Sequence, residues 1–172
     1  ITTGWAGAGA FSDGKLSLSH EVGGTISDYI GVEATQEIID YTDKIYLEFG
    51  GEPNIHGAEI TPAMREIQKK SIEANLRLVH CPVRHLGTEK TQLLYKLLFD
   101  FINEKGVEVL FRKPVTDFIF ENSSVTGVVV NGDKFYAQKV VVTVGREGSD
   151  WLLKKCEHHH IKTEVGVVDI GV

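Results

Sequence analysis

The stretch AGAGAFSDGK, residues 6–15, sets Gly7, Gly9 and Gly14 within eight residues and ends on Lys15. Glycines let backbone N–H groups come close to an anion, above all where a loop opens a helix. The spacing matches neither common phosphate loop. G-x-G-x-x-G fails because Ser12 stands at the third glycine position, and the Walker A pattern fails because Leu16 stands where Ser or Thr would bind Mg²⁺. Two readings stay open, a cofactor contact loop and a loose terminal loop. A second candidate is VVVTVGREGS, residues 140–149, an apolar run that ends on Gly145 and turns through Arg146 and Gly148. Ligands of α/β sheets sit at the carboxyl ends of strands, and Gly145 would allow close approach, although an ordinary strand exit reads the same way. Arg84 and His85 in VRHLGT form a third candidate. Arginine can hold a carboxylate or phosphate through two parallel hydrogen bonds, and histidine titrates near neutrality. A solvated Arg and a hydrogen-bonded His are the plain alternative.

Other clusters are chemically suggestive but badly spaced. KCEHHHIK, residues 155–162, offers Cys156 and His158–His160, but consecutive residues point in different directions, so at most two could face one ion. It reads as a polar surface segment. HCPVRH, residues 80–85, lacks paired ligand spacing, and no metal is expected. Ser17, Ser19 and His20 have hydrolase residue types without a G-x-S-x-G elbow or an acid placed to orient the histidine.

These residues need a scaffold. Glycine-rich residues 1–31 read as loop with short extended pieces. Residues 32–48 put Ile38, Ile39, Tyr41, Ile45 and Tyr46 near one helical face, and FGGEPN stops that helix. Thr61 and Pro62 predict the start of a second helix, with RLVHCPVRHLG as a short strand after it. Thr88 is expected to cap a third helix, EKTQLLYKLLFDFINEK, whose leucines predict deep burial, with Gly106 ending it. VEVLF at 107–111 is expected to be a strand. VTDFIFEN, SVTGVVV and FYAQ then predict an antiparallel meander, turned at NSS and NGDKF. KVVVTVG, 139–145, reads as a strand covered on both faces. The fold class expected is α/β, with a three-stranded antiparallel β-meander and a helical insertion.

With 172 residues and a net charge of −6, the chain has the size of one domain or two small lobes and disfavours a nucleic-acid groove. No apolar stretch is long enough to span a membrane, and no membrane partner is expected. Two cysteines are too few for a disulfide framework, which points to a reducing, cytoplasmic setting. The chain begins with Ile1, its one methionine is Met64, and it ends on VVDIGV, so it is expected to be a piece of a longer protein.

GAGAFSDGKLSLSHEVGG (7–24), VRHLGTE (83–89), VVVTVGREGSDWL (140–152) and the terminal VDIGV together resemble the uncharacterised FAD-dependent dehydrogenases, within the two-dinucleotide-binding-domain flavoproteins. The resemblance spans nearly the whole chain, and its first motif is the most specific. It implies a partial Rossmann-like FAD-binding domain, downstream of a G-x-G-x-x-G unit that this chain lacks. It implies cofactor contacts at Gly7, Ala8, Gly9, Ala10, Phe11, Ser12, Asp13, Gly14 and Lys15, along the pyrophosphate and toward the flavin. Val115 would meet the adenine through its backbone, and Gly145 and Arg146 would close over the dinucleotide. Arg84 and His85 would lie on the substrate side. Residues 1–31 would be the cofactor-contact region, 32–90 the helical insertion, and 91–172 the rest of the FAD domain. The parent is expected to be an oxidoreductase acting on a small-molecule substrate, with NAD(P)H a candidate second partner, and the piece alone to be inactive. The alternative function is a non-catalytic interaction or scaffold module that binds no cofactor.

Overall fold

Residues 4–7, 14–164 and 166 are described in the computed structural model, and they form two units divided between Val107 and Glu108. In the N-terminal unit, α1 (Ser27–Ile30) leads into α2 (Val32–Glu48). Gly31, with φ +85, makes the corner, and its carbonyl accepts from the buried Thr35 hydroxyl at 2.7 Å. Gly50 and Gly51 stop α2 as the sequence predicts. The Gly51 N–H returns to the Tyr46 carbonyl at 2.7 Å and Gly50 N–H to Leu47, the paired bonds of a Schellman end. The Thr61 hydroxyl accepts from Met64 N–H at 3.2 Å and Pro62 takes the first position of α3 (Pro62–Glu73).

Three short strands form an antiparallel sheet in the order β1-β3-β2: β1 (Lys15–Ser17), β2 (Ile55–His56) and β3 (Val83–His85). Lys15 stands opposite His85, and both Leu16 and Ile55 stand opposite Arg84. The third long helix, α4 (Thr88–Glu104), corrects two expectations. Its cap is Gly87, at φ +75, so Thr88 lies inside the first turn. Its burial is one-sided: Leu94 and Thr91 are buried, whereas Leu93, Leu97 and Phe101, spaced four apart on one stripe, stay exposed. Gly106 and Val107 close its end on the carbonyls of Asn103 and Ile102. Aromatic contacts tie the helices together. The Tyr46 and Tyr95 hydroxyls meet at 2.7 Å, Phe49 packs edge-on to Phe101, and Trp5 packs edge-on to Phe99.

The C-terminal unit holds the predicted meander, in the order β4-β5-β6: β4 (Val115–Glu121), β5 (Ser124–Val130) and β6 (Asp133–Tyr136). Both two-residue turns have positive φ throughout, at Asn122 and Ser123 and at Asn131 and Gly132, the conformation that matches hairpin twist. Two other strand expectations fail. VEVLF is irregular, with Val107, Leu110 and Phe111 exposed. KVVVTVG is also irregular, and Val141 is 83% exposed rather than covered on both faces. A strand exists only through a ladder partner, and neither of the two described sheets includes these segments. The sheets seen are antiparallel and three-stranded, a mixed α/β arrangement.

A helix missed from the sequence, α5 (Ser149–His158), packs on the meander, with Trp151 against Phe118 and His159 against Phe120 at 4.3 Å between ring centres. Asp117 receives His159 Nε2 at 3.1 Å and Lys155 Nζ at 3.2 Å. The His159 hydrogen bond, followed by the Phe118 N–H and Lys155, holds the Asp117 carboxyl down to about 2. A depressed carboxyl stabilises the fold above its unfolded value of about 4 and loses that stabilisation as pH falls through about 2. Because the side chain is 37% exposed, screening limits the effect to about 1 kcal/mol. In urea titrations between those two pH values, wild type should lose more stability than Asp117→Asn. Parallel pH profiles for the two proteins would contradict this pairing.

Candidate functional site

The candidate residues fall in both units, and each group is built from its own neighbours. In the N-terminal unit, residues 8–13 of the glycine loop, with Ala8, Gly9, Ala10, Phe11, Ser12 and Asp13, lie outside the described residues, as does the terminal VVDIGV. Gly7 and Gly14 flank that stretch. They differ in what surrounds them. Gly7 has φ +54 and open space where a side chain would begin. Gly14 has φ +61, and a Cβ there would run into the Thr91 hydroxyl and stand 3.0 Å from the Leu86 Cβ. Its carbonyl accepts from Leu86 N–H at 3.2 Å. Gly14 therefore lets β1 pass tightly over the start of α4.

Arg84 is 2% exposed. Its Nε donates to Asp43 Oδ1 at 2.5 Å, its Nη2 to Oδ2 at 2.7 Å, and its Nη1 to the Glu52 carbonyl. The fork, a candidate holder of a substrate carboxylate or phosphate, grips a carboxylate of α2, and the guanidinium is buried rather than solvated. Asp43 also strengthens the charged form of the guanidinium through its hydrogen bonds. Nothing local in the sequence announces Asp43, which lies 41 residues before Arg84.

His85 is exposed and lines a depression of about 370 Å³ with Glu52, Leu86, Gly87, Glu89 and Lys90. Lys90 pairs with Glu52 across it, and that hydrogen bond lowers the Glu52 pKa. The His85 and His56 rings approach edge to face, 6.1 Å between centres. Of the expected substrate-side pair, His85 thus faces solvent and Arg84 faces the interior.

In the C-terminal unit, Val115 opens β4 and lines an apolar depression of about 190 Å³ with Phe118, Val128, the Val140–Val144 segment and Trp151. Val115 and the end of that segment are therefore brought together. Gly145 follows it at φ +62, with open space where a side chain would begin. Arg146 is exposed, and its carbonyl accepts the Ser149 hydroxyl at 2.8 Å as the chain turns into α5.

In KCEHHHIK, His159 is held by Asp117, and the His158 ring lies edge-on to the His159 ring. Among the described residues no three His, Cys, Asp or Glu side chains are grouped to hold a metal ion. No described helix is long and apolar enough to cross a membrane. The chain matches no protein-family model, and no curated protein is significantly similar to it.

Proposed function

We propose that this chain is part of the FAD-binding domain of an oxidoreductase. FAD, when bound, supplies the electron-transfer chemistry, and the protein supplies binding, orientation and exclusion of water. The observation that carries the reading is Gly145. It combines a left-handed backbone with an unobstructed face, directly after an apolar segment that packs beside Val115. A cofactor's close approach needs the open face, and Val115, Gly145 and Arg146 are the residues that the family resemblance assigns to it. Gly7, with its open face, fits the same use. Gly14 fits a packing role, so its glycine is required whether or not a cofactor binds. Arg84 serves as a positioning residue, holding β3 and with it His85, which remains the substrate-side candidate.

The exposed run around Val141 favours a second reading, a non-catalytic module that docks on another protein through that surface. Hydrogen exchange followed by mass spectrometry separates the two. Added FAD is expected to slow exchange in peptides covering Gly7–Lys15, Val115 and Val144–Arg146, and to leave the β5–β6 hairpin unchanged. Exchange that is the same with and without FAD would sink the flavoprotein reading.

A further inference from the structure

His20 follows β1 and lines a depression of about 220 Å³ with Ser17, Val22, Ile26, Ile38 and Ile39. Gly23 and Gly24, at φ +98 and +139 with open space beside them, border it. The His20 Nδ1 lies 3.3 Å from Gln36 Oε1. The Gln36 amide is oriented by its other end, where Nε2 donates to the Leu18 carbonyl at 3.2 Å and to Asp40 Oδ1 at 2.9 Å. A reversed amide would set its oxygen against two acceptors. The atom facing His20 is therefore an acceptor, and Nδ1 must carry the proton. A neutral imidazole has a single N–H, so Nε2 is left as a bare acceptor. Among the described residues no second hydrogen bond reaches this ring. The orienting group that the sequence does not reveal as an acid is an amide, anchored on Asp40 four residues along α2.

We propose that His20 is the polar anchor of a small-molecule site. Its Nε2 accepts a hydrogen bond from the hydroxyl of a compact apolar alcohol or phenol, whose hydrocarbon body fills the depression beside Val22, Ile26 and Ile39. The lining decides the class. Isoleucine and valine select a hydrocarbon body, and the bare Nε2 selects a donor over a carbonyl. An apolar cavity of about 150 Å³ already takes up benzene, so the space suffices for one ring. The site lies within one unit and stands whether or not the chain binds flavin.

The test uses phenol as the probe and imidazole ¹⁵N NMR as the readout, at a pH where His20 is neutral. His20 is expected in the Nδ1–H tautomer, against the Nε2–H form that free neutral histidine favours. Phenol should shift the His20 Nε2 resonance and the Ile39 methyls saturably. Gln36→Leu should release the tautomer and weaken phenol binding about tenfold, the worth of one hydrogen bond. Ile39→Trp, which fills the depression, should abolish the shifts. If that variant does not fold, Ile38→Trp at the half-exposed rim blocks the same space. An Nε2–H tautomer at His20 would overturn the proposal, as would phenol shifts that fail to saturate or that persist in the blocked variant.

Discussion

Asp43→Ala is expected to destabilise the N-terminal unit by about 3–5 kcal/mol, the cost of leaving a buried charge without its partner. Arg84 is 2% exposed and directs three donors inward, two to Asp43 and one to the Glu52 carbonyl. Removing the carboxylate strands a guanidinium that cannot shed its proton. A domain has about 5–15 kcal/mol to lose, so the change removes a large share of the unit's stability. The magnitude separates two roles. A substrate-binding arginine would leave stability nearly untouched when Asp43 is removed, and a loss below about 1 kcal/mol would contradict the clamp. The double variant Asp43→Leu with Arg84→Met removes both charges together and should cost far less than either single change, because replacing a buried pair by apolar residues of similar volume is often neutral. Urea unfolding followed by far-UV circular dichroism measures all of these. The clamp also explains what Arg84 does for its neighbour. It fixes β3 to α2, and β3 sets the position of His85 and, through its pairing, of Lys15.

Gly14→Ala is expected to cost about 2–4 kcal/mol. Two effects add. The added Cβ meets the Thr91 hydroxyl and the Leu86 Cβ in a place with no spare room, an overpacking cost of about 1–3 kcal/mol. The left-handed backbone at φ +61 adds about 1 kcal/mol for any residue with a Cβ. Thr91→Ala should recover part of the first cost, since it removes the nearest obstructing atom. Gly145→Ala is the informative counterpart. It bears the same backbone penalty but meets no atom, so its effect on stability should be only about 1 kcal/mol. Equal losses at the two positions would contradict the assignment of Gly14 to packing and Gly145 to an open face.

What could be read from the sequence was what short-range chemistry determines. Gly50 and Gly51 after an amphipathic run, Thr61 before Pro62, and Asn131 before Gly132 each act within a few residues, and α2, α3 and the β5–β6 turn form where they predict. The segments at 107–111 and 139–145 carry strand composition, but a strand is a pairing, and composition does not name the partner. The helix α5 was obscured by Gly148 and the three histidines. It is held in place by Trp151 on Phe118 and His159 on Phe120, contacts set by the fold of β4. The candidate site divides in the same way. Gly145 and His85 are exposed, as a site residue must be. The partners that fix Arg84 and orient His20 sit on α2, far from either in sequence, and only folding reveals them.

The flavin content of the protein, purified as its gene encodes it, tests most directly whether this chain belongs to a flavoprotein. The visible absorption spectrum should show the flavin band. The band should fall in Gly145→Val and survive in Arg84→Lys, which keeps the buried charge. A colourless protein that takes up no added FAD would contradict the account, as would a Gly145→Val variant with its full complement of flavin.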